Sequence, residues 1–525
     1  MAGTQSITIY DTTLRDGAQG EGVHFSLSDK LRLAEKLAGY GMHYVEGGWP
    51  GSNDKDREFF PEAAKLRWGS CKLAAFGSTR RAGVGAADDP QVRMLLDAET
   101  PVVTIFGKSW LLHVEKVLRT TPEENLRMIS ETVAFLKKEG REVIYDAEHF
   151  FDGHADDPEY ALRTLEAAAG GGAEYLVLCD TNGGRLPSQV AEAVRLVRQK
   201  FPATRVGIHT HNDCGLGVAN AVAAVQEGAL QVQGTMNGYG ERTGNCNLTT
   251  LLPILELKLG RKILPGGNLR KLSELSGFVD QLANLPHDPR APFVGRTAFA
   301  HKGGMHVNAV NKLAASFEHI QPAEVGNHQR ILVGELSGGA NVMMKARELG
   351  ISLDEKAAST RSILAHIKKL EKEGYEFEAA DASFELLVRR SLKDLPAPFQ
   401  LDSYKVEVAR ARARSKETSR ATVTVRVGKT SRKTSAKGDG PVNALDAALR
   451  KALLPSFPAL KKMKLIDYKV RIVNSRGGTA ARIRVLVEST DGQREWGTVG
   501  VSTNIIEASA LALSDSLSYF LLPKS

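Results

Sequence analysis

The feature that most limits the fold of this chain is a regular alternation of short apolar segments and longer amphipathic segments through residues 1–262. The short segments predict strands at 7–13, 43–46, 72–76, 102–106, 142–147, 175–179, 205–209 and 232–235. The longer ones predict helices at 27–38, 54–65, 91–98, 122–138, 157–169, 187–200, 218–226 and 248–259, with Ser28 as the cap of the first. Eight strand and helix units favour a closed (β/α)8 TIM barrel, because an open doubly wound sheet usually stops at five or six strands.

Two further regions follow the predicted barrel. Residues 263–397 predict a mostly helical linker with lid subdomains, including a long amphipathic helix over 354–374. Residues 398–525 predict an α+β regulatory domain with an internal repeat, since period-two strands at 422–427 and 482–487 each precede a helix. The two helices begin alike, which indicates two ββα-like units that bury their apolar faces together. A plain dimerisation module is the alternative.

Composition restricts the class of protein. The chain has 525 residues, 42% of them hydrophobic and 25% charged, as in globular proteins of two to four domains. It has neither a run of about 18 apolar residues nor a basic-then-apolar N-terminus, so we expect a cytoplasmic protein without membrane attachment. The cysteines lack C-x-x-C spacing, which argues against disulfides and a thiolate zinc site. Part of the net charge of +8 lies in 410–437, which predicts a solvated basic loop or an anion pocket rather than nucleic-acid binding.

Polar residues follow several of the predicted strands, where a barrel enzyme carries its active site. They are Arg15 and Asp16 after the first strand, Glu46 after the second, Glu148 after the fifth, Asp180, Thr181 and Asn182 after the sixth, His209, His211 and Asp213 after the seventh, and Asn237, Glu241, Arg242 and Asn245 after the eighth. Few of these side chains suit a hydrophobic core.

His209 and His211 are the candidate metal ligands. Two residues apart in an extended segment, they point to one face, and in a closed barrel only the eighth strand separates them from Asp16. Such a centre suits Mg²⁺, Mn²⁺ or Zn²⁺. The glycine-rich loop 238–245 would bring Asn245 to the same ion. The alternatives are a pair of hydrogen-bonded loop histidines and an ordinary turn.

Three further charged groups are candidates for the chemistry. Arg15 is expected to face a substrate oxygen beside the metal, and the alternative is a structural ion pair with Asp16 or Glu46. Asp146 and Glu148 should share the inner face of the fifth strand, where crowding and burial raise one pKa enough for proton transfer. The alternative is a hydrogen-bonded pair that positions a neighbour.

These motifs resemble a known family. DTTLRDGAQ (11–19), HTHND (209–213) and GERTGN (240–245) together look like the signatures of the metal-dependent acyl-CoA condensing enzymes related to 2-isopropylmalate and homocitrate synthases. EGGWPGSN (46–53), DAEHFFDG (146–153) and HKGGMH (301–306) are most similar to its citramalate synthase branch. The resemblance covers nearly the whole chain.

The resemblance implies a reaction and a role for each residue. The implied reaction is a Claisen-type condensation of acetyl-CoA with the ketone of pyruvate, followed by hydrolysis of the thioester to citramalate. The matched positions are Asp16, His209, His211 and Asn245 as metal ligands, Arg15, Asp146 and Thr181 at the substrate, and Glu148 and His306 in proton transfer. The resemblance also implies a homodimer whose C-terminal domain senses an amino acid, here isoleucine, with 477–480 as the effector loop.

One position departs from that pattern, and other functions stay open. Relatives often carry a tyrosine where this chain has Phe317, and a phenyl ring cannot donate a proton. The step would then use His319 or a water, run more slowly, or be lost. The alternatives are an isopropylmalate or homocitrate synthase, an acyl-CoA lyase, and a non-catalytic effector-binding protein.

Overall fold

The computed structural model describes residues 6–301, 309, 313–332, 339–351, 353, 357–377, 379–392, 396–410, 417–473 and 481–522. Eight parallel strands form a closed barrel in chain order, and the first strand pairs with the eighth. They are β1 (Thr8–Asp11), β2 (Tyr44–Gly48), β3 (Lys72–Ser78), β4 (Val102–Lys108), β5 (Glu142–Glu148), β6 (Tyr175–Asp180), β7 (Arg205–Thr210) and β8 (Gln231–Gly234). The predicted fold class is confirmed.

Helices follow the strands as predicted. They are α1 (Leu27–Tyr40), α2 (Asp54–Ala63), α3 (Pro90–Asp97), α4 (Leu111–His113), α5 (Pro122–Lys138), α6 (Phe150–Asp156), α7 (Pro158–Gly171), α8 (Pro187–Lys200), α9 (Gly217–Gln226), α10 (Leu248–Pro253) and α11 (Leu272–Ala283). The predicted helix 248–259 ends earlier, because the chain turns into a π-helical segment over Ile254–Lys258.

The start of α1 corrects a detail of the sequence interpretation. Ser26, not Ser28, is the N-cap: its hydroxyl accepts a hydrogen bond from the Asp29 backbone N–H, and the Asp29 carboxylate accepts one from the Ser26 backbone. Gly41 ends the helix at a φ of 105°. The N-cap determines where α1 begins, and residues 12–25, between β1 and that cap, are left for the site.

The inside of the barrel is a separate small core. Its members are Tyr10, Tyr44, Ala74, Val102, Ile144, Tyr175, Val177 and Cys179. Because side chains alternate along a strand, this set identifies the inward positions. On β5, Asp146 and Glu148 therefore point inward after Ile144. The alternate residues, such as Val143 and Tyr145, pack with the surrounding helices in the largest core of the protein.

The chain divides into two compact units, the first made of residues up to Phe299 with Ile320–His328 and the second of the remainder. The second unit contains β9 (Ala300–His301) paired with β10 (Arg330–Ile331), and the helices α12 (Gly339–Glu348), α13 (Ala358–Lys372) and α14 (Asp381–Leu392). Helix α13 is the described part of the helix predicted over 354–374.

The repeat in the second unit contains one strand more per copy than the sequence indicated. The first copy is β11 (Gln400–Ala409), β12 (Thr418–Val427), β13 (Thr430–Gly438) and α15 (Pro441–Leu453), and the second is β14 (Lys464–Ile472), β15 (Ile483–Thr490), β16 (Glu495–Ser502) and α16 (Ile505–Phe520). Most residues of β11 and β14 are exposed, although residues 404–408 and 468–472 alternate apolar and polar side chains. None of the described helices is long and apolar enough to cross a membrane.

Candidate metal centre and active site

Asp16, His209 and His211 converge at the carboxyl end of the barrel. One ligand atom from each lies within 4.8 Å of the other two, and all three side chains are buried. The Nε2 atom of His209 lies 3.4 Å from Asp16 Oδ2 and 3.2 Å from His211 Nε2. Two imidazole nitrogens and a carboxylate oxygen at this spacing form the larger part of a divalent-metal site.

Asn245, which forms a β-bridge with His211, is the fourth candidate donor. Its Nδ2 donates to the carbonyl of Tyr239 at 3.1 Å, while its buried Oδ1 has no hydrogen-bond partner among the described residues. The glycine-rich loop makes this possible: a Cβ at Gly240 would lie 2.2 Å from Asn245 Nδ2, and one at Gly244 would lie 1.9 Å from the carbonyl oxygen of Gly238. An unpaired buried oxygen on the residue that bridges to His211 fits a bound divalent cation.

The electrostatics of the centre suit a cation. Burial alone would raise the pKa of Asp16, but the Arg15 guanidinium and the imidazoles of His209 and His211 outweigh it and hold that pKa below its ordinary value. Burial, together with His209, lowers the pKa of His211 to about 4. At neutral pH Asp16 is therefore ionised and His211 is neutral, as metal ligands must be.

Arg15 forms the ion pairs with Asp16 and Glu46 that the sequence analysis gave as the alternative to a substrate contact. Its Nε donates to Glu46 Oε1 at 2.6 Å, and its terminal nitrogen lies 3.4 Å from Asp16 Oδ2. Glu46 also accepts hydrogen bonds from the hydroxyls of Tyr10 and Thr12, each at 2.5 Å. Because Arg15 also lines the cavity at the end of the barrel, these pairs position a cation that still faces the cavity.

Asp146 and Glu148 both line that cavity, but their surroundings differ. Asp146 is buried, and burial together with the charge of Glu46 raises its pKa to about 8. Glu148 is paired with the ammonium of Lys108, its register neighbour on β4. Sequence reasoning missed Lys108 because the predicted fourth strand stopped at 106, whereas β4 continues to Lys108 itself.

Thr181 lines the cavity from the loop after β6. Its Oγ1 accepts a hydrogen bond from the backbone N–H of His149 at 2.9 Å. His149 adopts a left-handed conformation, with a φ of 55°, at the start of α6. With its oxygen engaged by His149, the Thr181 hydroxyl keeps its own proton to donate.

Three aromatic rings form a wall of the cavity that the sequence analysis did not identify. The rings of Phe76 and Phe106 stack with centroids 5.4 Å apart, and Trp49 stands edge-on to them at 6.0 and 5.6 Å. The Arg15 guanidinium lies 3.7 Å from the Phe76 ring centre. Each ring lies at a strand end, but nothing local in the sequence brings three strands together.

The cavity is small. Its volume is about 250 Å³, below the roughly 300–1,000 Å³ of pockets that enclose drug-sized ligands. It therefore admits a small molecule or the reacting end of a larger one.

Two predicted functional positions, His306 and the effector loop 477–480, fall outside the described residues. Phe317 is in the second unit and is half exposed. Beside it, Glu318 is buried and pairs with His301 at 3.1 Å.

The fold, together with the convergence of Asp16, His209 and His211, defines a class. It is that of (β/α)8 barrel proteins with a candidate site for a divalent metal ion at the carboxyl ends of the strands. Family models agree with that class. Residues 6–279 match the HMGL-like family, residues 293–375 match the homocitrate synthase post-HMGL domain-like family, and residues 378–521 match the LeuA allosteric (dimerisation) domain.

Individual relatives narrow the class. The chain is 54% identical to the (R)-citramalate synthase of Aquifex aeolicus, over 99% of this chain and 98% of that protein, and 50% identical to that of Geobacter sulfurreducens, over 98% and 97%. Identity to the 2-isopropylmalate synthase of Carboxydothermus hydrogenoformans is 29%, over 98% of both chains. The chain belongs to the citramalate synthase family of HMGL-like barrel proteins, which confirms the predicted resemblance.

Proposed function

We propose that this chain condenses acetyl-CoA with pyruvate and water to give (R)-citramalate and CoA. Its family makes it a condensing acyltransferase. The observation that carries the choice of pyruvate is the wall of Trp49, Phe76 and Phe106 around a cavity of about 250 Å³. That wall offers an apolar surface to the methyl group of pyruvate, and it would disfavour a branched or charged side chain on the 2-oxo acid.

Asp16, His209, His211 and Asn245 would hold a divalent ion, with Mn²⁺, Mg²⁺ and Zn²⁺ as candidates. When bound there, such an ion supplies a Lewis acid that polarises the ketone of the 2-oxo acid. Arg15 adds a fixed positive charge on the same side of the cavity, so it stabilises the negative charge that develops on the ketone oxygen. Glu46 keeps that guanidinium in place.

Two hydrogen-bond donors would orient the substrate. The Thr181 hydroxyl donates to the carboxylate of pyruvate, because its oxygen already accepts from the His149 backbone. Asp146, whose raised pKa of about 8 keeps it protonated at neutral pH, presents a second O–H to the cavity. A protonated carboxyl binds an anionic substrate without repelling it.

Glu148 would act as the base that removes a methyl proton from acetyl-CoA. Lys108 holds its carboxylate at the edge of the cavity, where the thioester enters. The resulting enolate carbon bonds to the ketone carbon of pyruvate, and the oxygen there gains a proton. Water then cleaves the thioester and releases CoA. His306, by resemblance, assists proton transfer in the later steps.

We also propose a division of labour along the chain. Residues 1–262 form the catalytic barrel, 263–397 the linker and lid subdomains, and 398–525 a regulatory domain. The match of 378–521 to the LeuA allosteric (dimerisation) domain supports a homodimer with an amino-acid effector, and isoleucine is the candidate. Light scattering of the purified chain tests the dimer, and inhibition by isoleucine but not leucine tests the effector.

A thiol-release assay with acetyl-CoA tests the reaction. Pyruvate, 2-oxobutyrate, 2-oxoisovalerate and 2-oxoglutarate are compared, with and without a divalent ion. We expect CoA release with pyruvate and little with the two larger acids. Release with 2-oxoisovalerate or 2-oxoglutarate alone would assign the chain to a sister activity, and no release with any acid would refute catalysis.

A further inference from the structure

Gln233 is a buried amide that the proposed chemistry does not use. It lies on β8 directly opposite His209 on β7, and its side chain is fully buried inside the barrel. From there it reaches across the interior to Asp146 on β5. Its side chain thus hydrogen-bonds to both a proposed metal ligand and a carboxyl of the cavity.

The two hydrogen bonds of this amide have a direction. Nε2 donates to Asp146 Oδ1 at 2.8 Å, so Oε1 faces His209 Nδ1 at 2.9 Å. A carbonyl oxygen can only accept, so the proton of the neutral His209 ring is on Nδ1. The other nitrogen, Nε2, then keeps its lone pair and faces Asp16 Oδ2 at 3.4 Å.

The reverse orientation of the amide would have the opposite effect. It would place Nε2 of Gln233 against His209 Nδ1 and move the ring proton to the nitrogen that faces the centre. A protonated nitrogen has no lone pair for a metal ion. Because the O–H of protonated Asp146 is directed to the cavity, its Oδ1 accepts from Gln233 Nε2, and this bond selects the amide orientation that leaves His209 able to bind a cation.

We propose that Gln233 is a positioning residue that sets the tautomer and ring orientation of His209, and that Asp146 supports the metal centre through it. This inference rests on the proposed metal centre. Groups that hydrogen-bond to the far nitrogen of a ligating histidine typically contribute 10- to 100-fold to metal affinity. Asp146 would thus line the substrate cavity and also hold Gln233 in the orientation that His209 needs.

Gln231 offers a matched control. It lies two residues earlier on β8, so it points into the same interior, and it is equally buried. Neither its Nε2 nor its Oε1 has a hydrogen-bond partner in the described part of the chain. Replacing Gln231 or Gln233 removes the same buried amide from the same strand, but only Gln233 contacts a ligand.

The test is a titration of metal-free, full-length protein with Mn²⁺, in which electron paramagnetic resonance measures the free ion. We expect Gln233→Met to weaken Mn²⁺ binding about 10- to 100-fold, and Gln231→Met to leave it within about twofold. Gln233→Glu keeps an oxygen acceptor for His209 Nδ1, so it should restore affinity to within a few-fold of wild type.

Wild-type affinity in a folded Gln233→Met protein, or equal weakening in Gln231→Met, would overturn the proposal. If Gln233→Met does not fold, ¹⁵N-histidine NMR of metal-free wild type decides. The His209 signal, identified by its loss in His209→Gln, must show the proton on Nδ1, and a proton on Nε2 overturns the proposal. A wild-type protein that binds no Mn²⁺ refutes the metal centre itself, which is a separate failure.

Discussion

Replacing Phe106 by leucine should relax the choice of 2-oxo acid. Phe106 stacks on Phe76, and the wall that they form with Trp49 leaves a cavity of about 250 Å³. In such a wall one additional methylene on the substrate costs roughly 1–3 kcal/mol. Leucine is smaller than phenylalanine, and the space that it leaves is about that of one methylene group. Relative to pyruvate, the substrate 2-oxobutyrate should therefore gain about tenfold or more in catalytic efficiency, kcat/KM.

Leucine is preferred to alanine for a structural reason. A truncation of a packed phenylalanine to alanine costs about 3–5 kcal/mol of stability. It would also release Phe76, whose ring lies 3.7 Å from the guanidinium of Arg15. Leucine keeps apolar contact with Phe76, so the Arg15 guanidinium should stay in place. The kcat with pyruvate should then fall only a few-fold.

The assay is the initial rate of thiol release at saturating acetyl-CoA, measured with pyruvate and with 2-oxobutyrate. Phe135→Leu is the matched control, because Phe135 is a partly buried residue of α5 that packs in the outer core. Its substitution should leave the ratio of the two substrates unchanged. An unchanged ratio in Phe106→Leu, with the rate on pyruvate preserved, would refute the argument that this wall sets specificity.

Three further predictions follow from the same structure. In the folded protein the pKa of Asp146 is about 8, whereas in the unfolded chain its carboxyl loses its proton near pH 4. Between these two pH values the folded state binds one more proton than the unfolded state, so the protein loses stability as the pH rises. Asp146→Asn should therefore leave the stability of the metal-free protein almost unchanged at pH 4 and raise it by about 4 kcal/mol at pH 7. Urea unfolding measures this, and a difference in unfolding free energy between variant and wild type that does not depend on pH would contradict the prediction. Chelation of divalent ions, and separately Asp16→Asn, should abolish thiol release, and the ligand assignment fails if Asp16→Asn turns over with metal bound. Ser26→Ala should cost about 1 kcal/mol of stability and leave kcat unchanged, while Ser28→Ala, which removes no cap, should be close to neutral by thermal unfolding.

The barrel could be predicted because its signals are local. Each strand is a short apolar run buried on both faces, and each helix has its own period and cap, so the eight units can be counted without knowing their contacts. Closure then follows from the count. Once β8 lies between β1 and β7, the convergence of Asp16 with His209 and His211 is a consequence of strand order.

Other features could not be predicted, because their signals are not local. The edge strands β11 and β14 alternate apolar and polar residues at 404–408 and 468–472, but most of their residues are exposed, so this alternation does not mark a buried face. Ser26 and Ser28 are equally good capping residues, and the choice between them depends on where the chain leaves the barrel. Lys108 is a lone lysine in the sequence and becomes significant only beside Glu148.

The sequence by itself determined the order of strands, the placement of the polar motifs at their carboxyl ends, and the residue types of the candidate metal centre. These depend on periodicity and residue chemistry, which survive without coordinates. The tertiary structure alone decided the size of the cavity, which of Asp146 and Glu148 has the raised pKa, and the bridge from Gln233 to His209. Each of those depends on groups that are far apart in the chain and meet inside a closed barrel, where burial and distance determine what they do.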